Sequence, residues 1–272
     1  MEERHWKDKI SWPKGSRIAV ALSFDFQGGE GVRLVPEGNI YFEDYAQAEY
    51  GPKTGIWRIL RVLERQGVHA TFLTCGGIVE RYPEAVKAIL SQGHEVAGHG
   101  YHHEVARNLS REEEKEVIQR TTERIRMISG TRPIGWRTCT QSPNTLELLM
   151  EQGYLWSTNS FSYDFPFLWM KDGRKLVELP RHPFGDGRIY GHSDSGTPRD
   201  TLNVWQSAFD ELYEESEMAP TFCPFTFHPY ISSRPGRAKT LGEFIQYMKQ
   251  REGVWIATGS EVARWVFDHL PK

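Results

Sequence analysis

Hydrophobic positions alternate between short strand-like runs and helical stripes along nearly the whole chain. Residues 17–24, Arg17-Ile18-Ala19-Val20-Ala21-Leu22-Ser23-Phe24, read as a buried strand. The stretch 53–66 reads as a helix with Ile56, Ile59, Leu60 and Leu63 on one face, and Gly67 ends it. Further strands are expected at 69–74, 95–97, 134–136, 154–158, 176–179, 221–227 and 254–257. Helices are expected at 78–92, with Pro83 near the start of its main part, at 201–216 and at 241–251. Ser110 and Glu113 form a capping box ahead of a helix that runs to Ser129, where Gly130 closes it. Ser142 is expected to cap a helix that Pro143 opens, and Ser260 to cap the last one, which ends near His269.

Repeated strand-then-helix units imply a parallel sheet with helices outside it. At 272 residues the leading architecture is one closed or nearly closed β/α barrel domain, with an open doubly wound sheet as the alternative. No GxGxxG or GxxxxGK[ST] run follows a strand, which removes support from nucleotide-binding versions of that sheet. Two stretches are poor in regular pattern, 28–52 and 181–199. Long loops of this kind usually cover a site or meet another chain. Residues 1–16 read as an arm that packs on the barrel or on a neighbour.

Composition narrows the function more by exclusion than by indication. Charged residues make up 25% and hydrophobic ones 39%, with a net charge of -3, as in an ordinary water-soluble protein. No long basic run is present, so nucleic acid and anionic membranes are poor partners. No apolar leader and no membrane-length run appear, and the three cysteines are odd in number with no CxxC; a cytoplasmic location is expected. Cys75, Cys139 and Cys223 each sit beside a strand and read as small core residues, with a catalytic thiol as the minor alternative for Cys139. Nine tryptophans suit a large aromatic core better than a ring-lined pocket.

The candidate chemistry lies at the strand ends. Asp25, His99, Arg137 and His228 each fall at or just after the end of a strand, and in a parallel barrel those ends share the rim where active sites form. Each alone has an ordinary structural explanation: a loop acceptor, an ion pair, a strand terminator. Four such residues on one rim are harder to explain that way. His99 and His103 are four apart, a spacing that brings two imidazoles to one ion on a helical turn or a tight loop. A catalytic zinc wants a third protein ligand, and Asp25 or Gln27 would supply its oxygen. Asp25 is better on charge but is also the best candidate base. Gln27 offers only a neutral carbonyl oxygen, which suits harder cations.

The ordered runs Phe24-Asp25-Phe26-Gln27, Gly98-His99-Gly100-Tyr101-His102-His103-Glu104, Gly135-Trp136-Arg137 and Phe227-His228-Pro229 resemble the motifs of the polysaccharide deacetylase (NodB homology) superfamily. The resemblance spans about residues 10–268. It is closest to a branch that includes peptidoglycan deacetylase, cyclic imide hydrolases and a metal-independent allantoinase; Gly28-Gly29-Glu30 and Ser142-Pro143-Asn144-Thr145 are similar to the last two. It implies a distorted (β/α)7-8 barrel and a homo-oligomer. It implies Asp25 as base, Arg137 as the residue that orients it, and His228 as proton donor to the leaving group. It implies a divalent metal, zinc before others, on His99, His103 and Gln27, with Gln27 standing where the family has an Asp.

The expected function is hydrolysis of a non-peptide carbon–nitrogen bond in a small soluble amide, cyclic imide or ureide. The loops 28–52 and 181–199 would close over it, with Phe165, Phe167, Trp169 and His182 as lining candidates. The alternatives are N-deacetylation of a carbohydrate or peptidoglycan fragment, and a ligand-binding relative that lost its metal and its activity.

Overall fold

A computed structural model describes residues 1–4, 11–33, 42–190 and 197–269. The central strand β2 (Ile18–Phe26) explains much of the architecture. Along one edge it pairs in parallel with β9 (Thr221–Phe227). Its other edge is shared: residues 18–21 pair with β10 (Val254–Ala257) and residues 23–26 with β3 (Thr71–Thr74), both in parallel. From β3 the sheet continues in parallel through β4 (Glu95–Gly98), β5 (Gly135–Trp136), β6 (Trp156–Ser157) and β8 (Arg174–Glu178). It ends in two antiparallel strands, β7 (Phe167–Lys171) on β8 and β1 (Glu2–Arg4) on β7. The sheet curls into a distorted half-barrel, as expected for the NodB type.

Side-chain size along β2 decides which face is which. Ile18, Val20, Leu22, Phe24 and Phe26 point outward into the core beneath the helices. There they meet α3 (Ile56–Gln66), α9 (Pro198–Glu215) and α11 (Arg237–Lys249), which also pack on each other. The alternate row is small: Ala19 and Ala21 face a second core with Leu73, Ala97, Trp156, Phe222 and Ala257. Small residues leave room for large ones across a curled sheet, and Trp156 takes that room. A Cβ on Gly135 would come within 2.0 Å of its ring, so glycine is the residue that fits there.

The helices form for local reasons as well. The Ser110 capping box opens α6 (Arg111–Ser129), and Gly130 closes it in the left-handed conformation. α12 (Gly259–Asp268) is capped by Thr258 in a box with Glu261, two residues before the expected Ser260. Ser260 is otherwise engaged, accepting from Trp156 Nε1 at 3.0 Å and donating to Glu95. Ser142 also does not cap. α7 (Thr145–Glu151) starts after Asn144, while Ser142 shapes the turn before it by accepting the Asn144 N–H at 2.9 Å.

The elements not expected from the sequence include α1 (Glu30–Arg33), α2 (Phe42–Tyr50), α8 (Asp186–Tyr190), α10 (Pro229–Ser232), β1 and β7. Both pattern-poor stretches therefore carry helices, although residues 34–41 and 191–196 within them lie outside the described residues. Residues 5–10 of the expected arm lie outside as well, but Trp12 is buried and donates its indole N–H to Thr221 O at 2.8 Å. Four tryptophans, Trp12, Trp136, Trp156 and Trp205, are among the largest fully buried side chains, in line with a core role. Cys75 and Cys223 are buried as expected, and all three thiols are free.

Candidate active site

The inner row of β2 continues past Ala19 and Ala21 through Ser23 to Asp25 and, one step beyond the strand, to Gln27. The same parity carries Ala97 of β4 to His99, Gly135 of β5 to Arg137, and Phe222 of β9 to His228. Strand period alone thus brings Asp25, His99, Arg137 and His228 to one rim. Asp25 Oδ2 lies 3.9 Å from His99 Nε2 and 3.4 Å from His228 Nε2, and it is ion-paired with Arg137. Asp25 is 1% exposed, yet neither of its oxygens has an aligned hydrogen-bond donor. A buried carboxylate left open in this way is ready to accept from a water or a ligand.

Burial works against the charge on Asp25, but Arg137, His99, His228 and Arg181 outweigh it and hold the carboxyl at about 2. His228 moves the other way. Burial disfavours its cation, but Asp186, by charge and hydrogen bond, and then Asp25 raise its pKa above the ordinary imidazole value. Asp186 is fully buried and accepts three donors: His228 Nδ1–H, the His228 backbone N–H and the Ser232 hydroxyl, each at 2.7 Å. With Nδ1 committed to Asp186, Nε2 faces Asp25 and the cleft.

Asp186 was missed in the sequence because it opens a one-turn helix in a stretch without hydrophobic periodicity. Its signal is the run Gly185-Asp186-Gly187. A Cβ on Gly185 would meet Thr226 O at 2.5 Å, and one on Gly187 would meet His228 Cε1 at 3.0 Å. Both glycines let the acid reach the imidazole.

His99 and His103 come together, with ring centroids 4.7 Å apart. His99 Nδ1–H donates to Arg137 O at 3.1 Å, which leaves Nε2 as a lone pair 3.3 Å from the Gln27 amide oxygen. Burial keeps both imidazoles neutral at ordinary pH, with His99 well below its usual value and His103 at about 4. Among the described residues no group of three His, Cys, Asp or Glu side chains offers a metal site. Two neutral imidazoles and the Gln27 carbonyl oxygen fit a divalent ion in donor type but bring it no negative charge.

The segment carrying Gln27 is anchored by a second group that sequence reasoning missed. Glu30, fully buried, pairs with Arg81 at 2.5 Å and meets His102 Nδ1 at 2.5 Å. Glu49, 2% exposed, accepts the Gly29 N–H at 3.0 Å, Arg81 Nη2 at 3.0 Å and the Tyr82 hydroxyl. The network fastens the end of β2 to α4 (Gly76–Arg81) and to the loop that bears His99 and His103.

A cleft of about 320 Å³ opens beside His228, bounded by Phe161, Arg181, His182, Thr226 and Tyr230. Of the expected lining residues only His182 is there. Phe165 and Phe167 are buried in the core, and Trp169 packs beside Leu176 instead. Cys139 is half-buried, and burial pushes its thiol pKa up, which disfavours the thiolate a nucleophile needs.

Comparison with known proteins accords with this geometry. Residues 44–154 match the family model described as polysaccharide deacetylase. The crystal structure of a putative polysaccharide deacetylase from Mycobacterium smegmatis is 30% identical with a TM-score of 0.87, over 96% of this chain and 94% of that one. The structure of PuuE allantoinase is 26% identical with a TM-score of 0.88, over the same shares. The peptidoglycan deacetylase of Helicobacter pylori is 26% identical over 90% of this chain and 95% of its own.

Proposed function

The chain belongs to the polysaccharide deacetylase family of hydrolases that act on carbon–nitrogen bonds, and on that footing we propose that it hydrolyses a small amide, cyclic imide or ureide. The observation that carries the reading is the placement, 3.4 Å apart, of the Asp25 carboxylate, which Arg137 keeps ionised, and His228 Nε2, whose pKa Asp186 raises, beside a cleft of about 320 Å³. Cleavage of such a bond needs a base for the attacking water and an acid for the departing nitrogen. A cleft of that volume is at the small end of those that hold single ligands.

In this reading the substrate carbonyl lies over Asp25, with its scissile nitrogen toward His228 Nε2. Asp25 takes a proton from the attacking water. His228 gives its Nε2 proton to the nitrogen as the carbon–nitrogen bond breaks. Asp25 then returns the proton it took to His228, across the gap that separates them, and the site is reset. Arg137 holds Asp25 ionised and aims it. Asp186 keeps His228 in the tautomer that faces the cleft and favours its protonated form.

A carboxylate held at about 2 is a weak base for free water, whose own pKa is about 16. A divalent ion, zinc by donor type, would be held by His99 Nε2, His103 and Gln27 Oε1, and would supply the missing acidity by lowering the pKa of bound water toward about 7. The Arg137 carbonyl fixes His99 in the tautomer such a ligand needs. Gln27 in place of a carboxylate makes the hold weak.

The second reading, N-deacetylation of a peptidoglycan or carbohydrate fragment, is favoured by the names of relatives such as the H. pylori enzyme. Turnover of allantoin, succinimide, hydantoin and N-acetylglucosamine oligomers separates the two. Cleavage of a cyclic substrate without deacetylation of the oligomers is the expected result; deacetylation alone would overturn the first reading. No turnover of any of the four, with or without added zinc, would favour a ligand-binding relative.

A further inference from the structure

Arg181 lines the cleft, and the proposed chemistry gives it no part in the bond-breaking steps. Arg181 follows β8, and its backbone N–H donates to Ser160 O at 2.8 Å. Its guanidinium lies over the Phe161 ring, 4.8 Å from the centroid. Its Nε is buried without a hydrogen-bond partner, and among the described residues no carboxylate lies in ion-pair range of it. The acids whose charge reaches it are engaged elsewhere: Asp25 is paired with Arg137, and Glu178 accepts from the Ser157 hydroxyl and the Asn159 and Ser160 N–H groups. His182 beside it is kept neutral by burial, against the weaker pull of Asp164. Arg188, exposed at the cleft's edge, adds positive charge rather than cancelling it.

A guanidinium with a buried, unpartnered Nε and no direct ion pair is costly to hold, and planar two-point recognition of a carboxylate is what its fork of donors does best. The strain is visible in the group itself, for burial and then the nearby Arg137 pull its pKa down to about 9. A bound anion would relieve both. Phe161 steadies the guanidinium from one face, so a ligand meets a fixed edge and not a mobile side chain.

We infer that Arg181 selects the substrate by its charge: the natural substrate is a small N-acyl or ureide compound carrying a carboxylate a few bonds from the scissile nitrogen, with the carboxylate on Arg181 and the nitrogen at His228. This rests on the assignment of the same site to carbon–nitrogen bond cleavage. Arg181 and His228 line the same cleft, so one small molecule spans both. A guanidinium acting on the reaction's oxyanion would aid charged and neutral substrates alike. One that anchors a carboxylate aids only the charged ones.

The test is equilibrium binding, which needs no turnover. Hydantoin-5-acetic acid and its neutral amide, hydantoin-5-acetamide, are titrated by calorimetry into the full chain, into R181M and into R181K, with the melting temperature of each variant recorded. The expected result is at least about tenfold tighter binding of the acid by the unmodified protein, the scale of one charge-assisted pair. R181M should lose that preference while binding the amide as before. R181K, which keeps the charge without the fork, should retain part of it. No measurable binding of the acid, equal affinity for both ligands, an unchanged preference in R181M, or equal weakening of both would overturn the inference. A preference that depends on Arg181 in a protein that cleaves no amide would uphold it while sinking the hydrolase reading.

Discussion

Asp25 and His228 face each other 3.4 Å apart with pKa values displaced in opposite directions, and the neighbours that displace them can be removed singly. Asp186 raises the pKa of His228, so Asp186→Asn should lower it. As the acid, His228 works only while protonated, and kcat should therefore fall as pH rises through its pKa, on the alkaline side of 6.5. In Asp186→Asn that alkaline limb moves to lower pH; a limb that stays in place would separate Asp186 from the proton donor. Asp25 remains charged down to about 2, so no acid limb of the profile should belong to it. Gln27→Asp adds the missing negative ligand and should raise zinc affinity at least about tenfold, read by competition with a chromogenic chelator. Unchanged affinity would mean that Gln27 does not face the ion. Asp25, His99, Arg137 and His228 were legible in the sequence because each extends a strand's inner row by one alternation. Asp186, Glu30 and Arg181 were not, because each stands in a stretch whose sequence has no period from which to read where a side chain points.

At the level of elements, the strongest hydrophobic patterns gave strands and helices close to where they stand. β2 and β9 are examples, since a strand buried on both faces must be rich in apolar residues. β1 and β7 were missed because they stabilise each other from distant parts of the chain, Glu2 opposite Met170 and Arg4 opposite Leu168, and neither carries a clear alternation. The helix caps failed where a hydroxyl had a stronger claim elsewhere: Ser260 serves Glu95 and Trp156, and Ser142 serves Glu114. β5 is the element most exposed to a single change. Gly135→Ala would drive a methyl into Trp156 and should cost about 1–3 kcal/mol of stability, measured by urea unfolding. It should also lower activity, since Arg137 lies two residues on. A fully stable, fully active Gly135→Ala would show that Trp156 is not held where the barrel interior requires it.

Across the molecule, buried histidines couple stability to pH. Burial, and for His94 also His69, lowers His94 to about 4, and burial likewise lowers His103 to about 4, both from 6.5. Between those values the unfolded chain binds more protons than the folded one, so stability is lost as pH falls from 6.5 toward 4. His228, raised, contributes in the opposite sense and only above 6.5, so it does not offset this loss. The melting temperature should drop from pH 7 to pH 4.5, and His94→Gln should flatten part of the drop; a flat profile would contradict the burial described. The barrel and its rim were legible from the order of strands and helices and from four spaced motifs. The cleft wall was not, because it is built from 181–190, whose path is set by tertiary contacts to β9 and α10 (Pro229–Ser232) rather than by its own pattern.

The central claim is that Asp25 and His228 act as base and acid on one carbon–nitrogen bond. It is tested most directly by kcat/KM for whichever of allantoin, succinimide, hydantoin or N-acetylglucosamine oligomers is cleaved, compared among the unmodified protein, Asp25→Asn and His228→Ala. Each variant should stay folded and lose about 10²–10⁴-fold in rate. A folded variant that keeps the unmodified rate, or the lack of turnover of all four by the unmodified protein, would contradict the account.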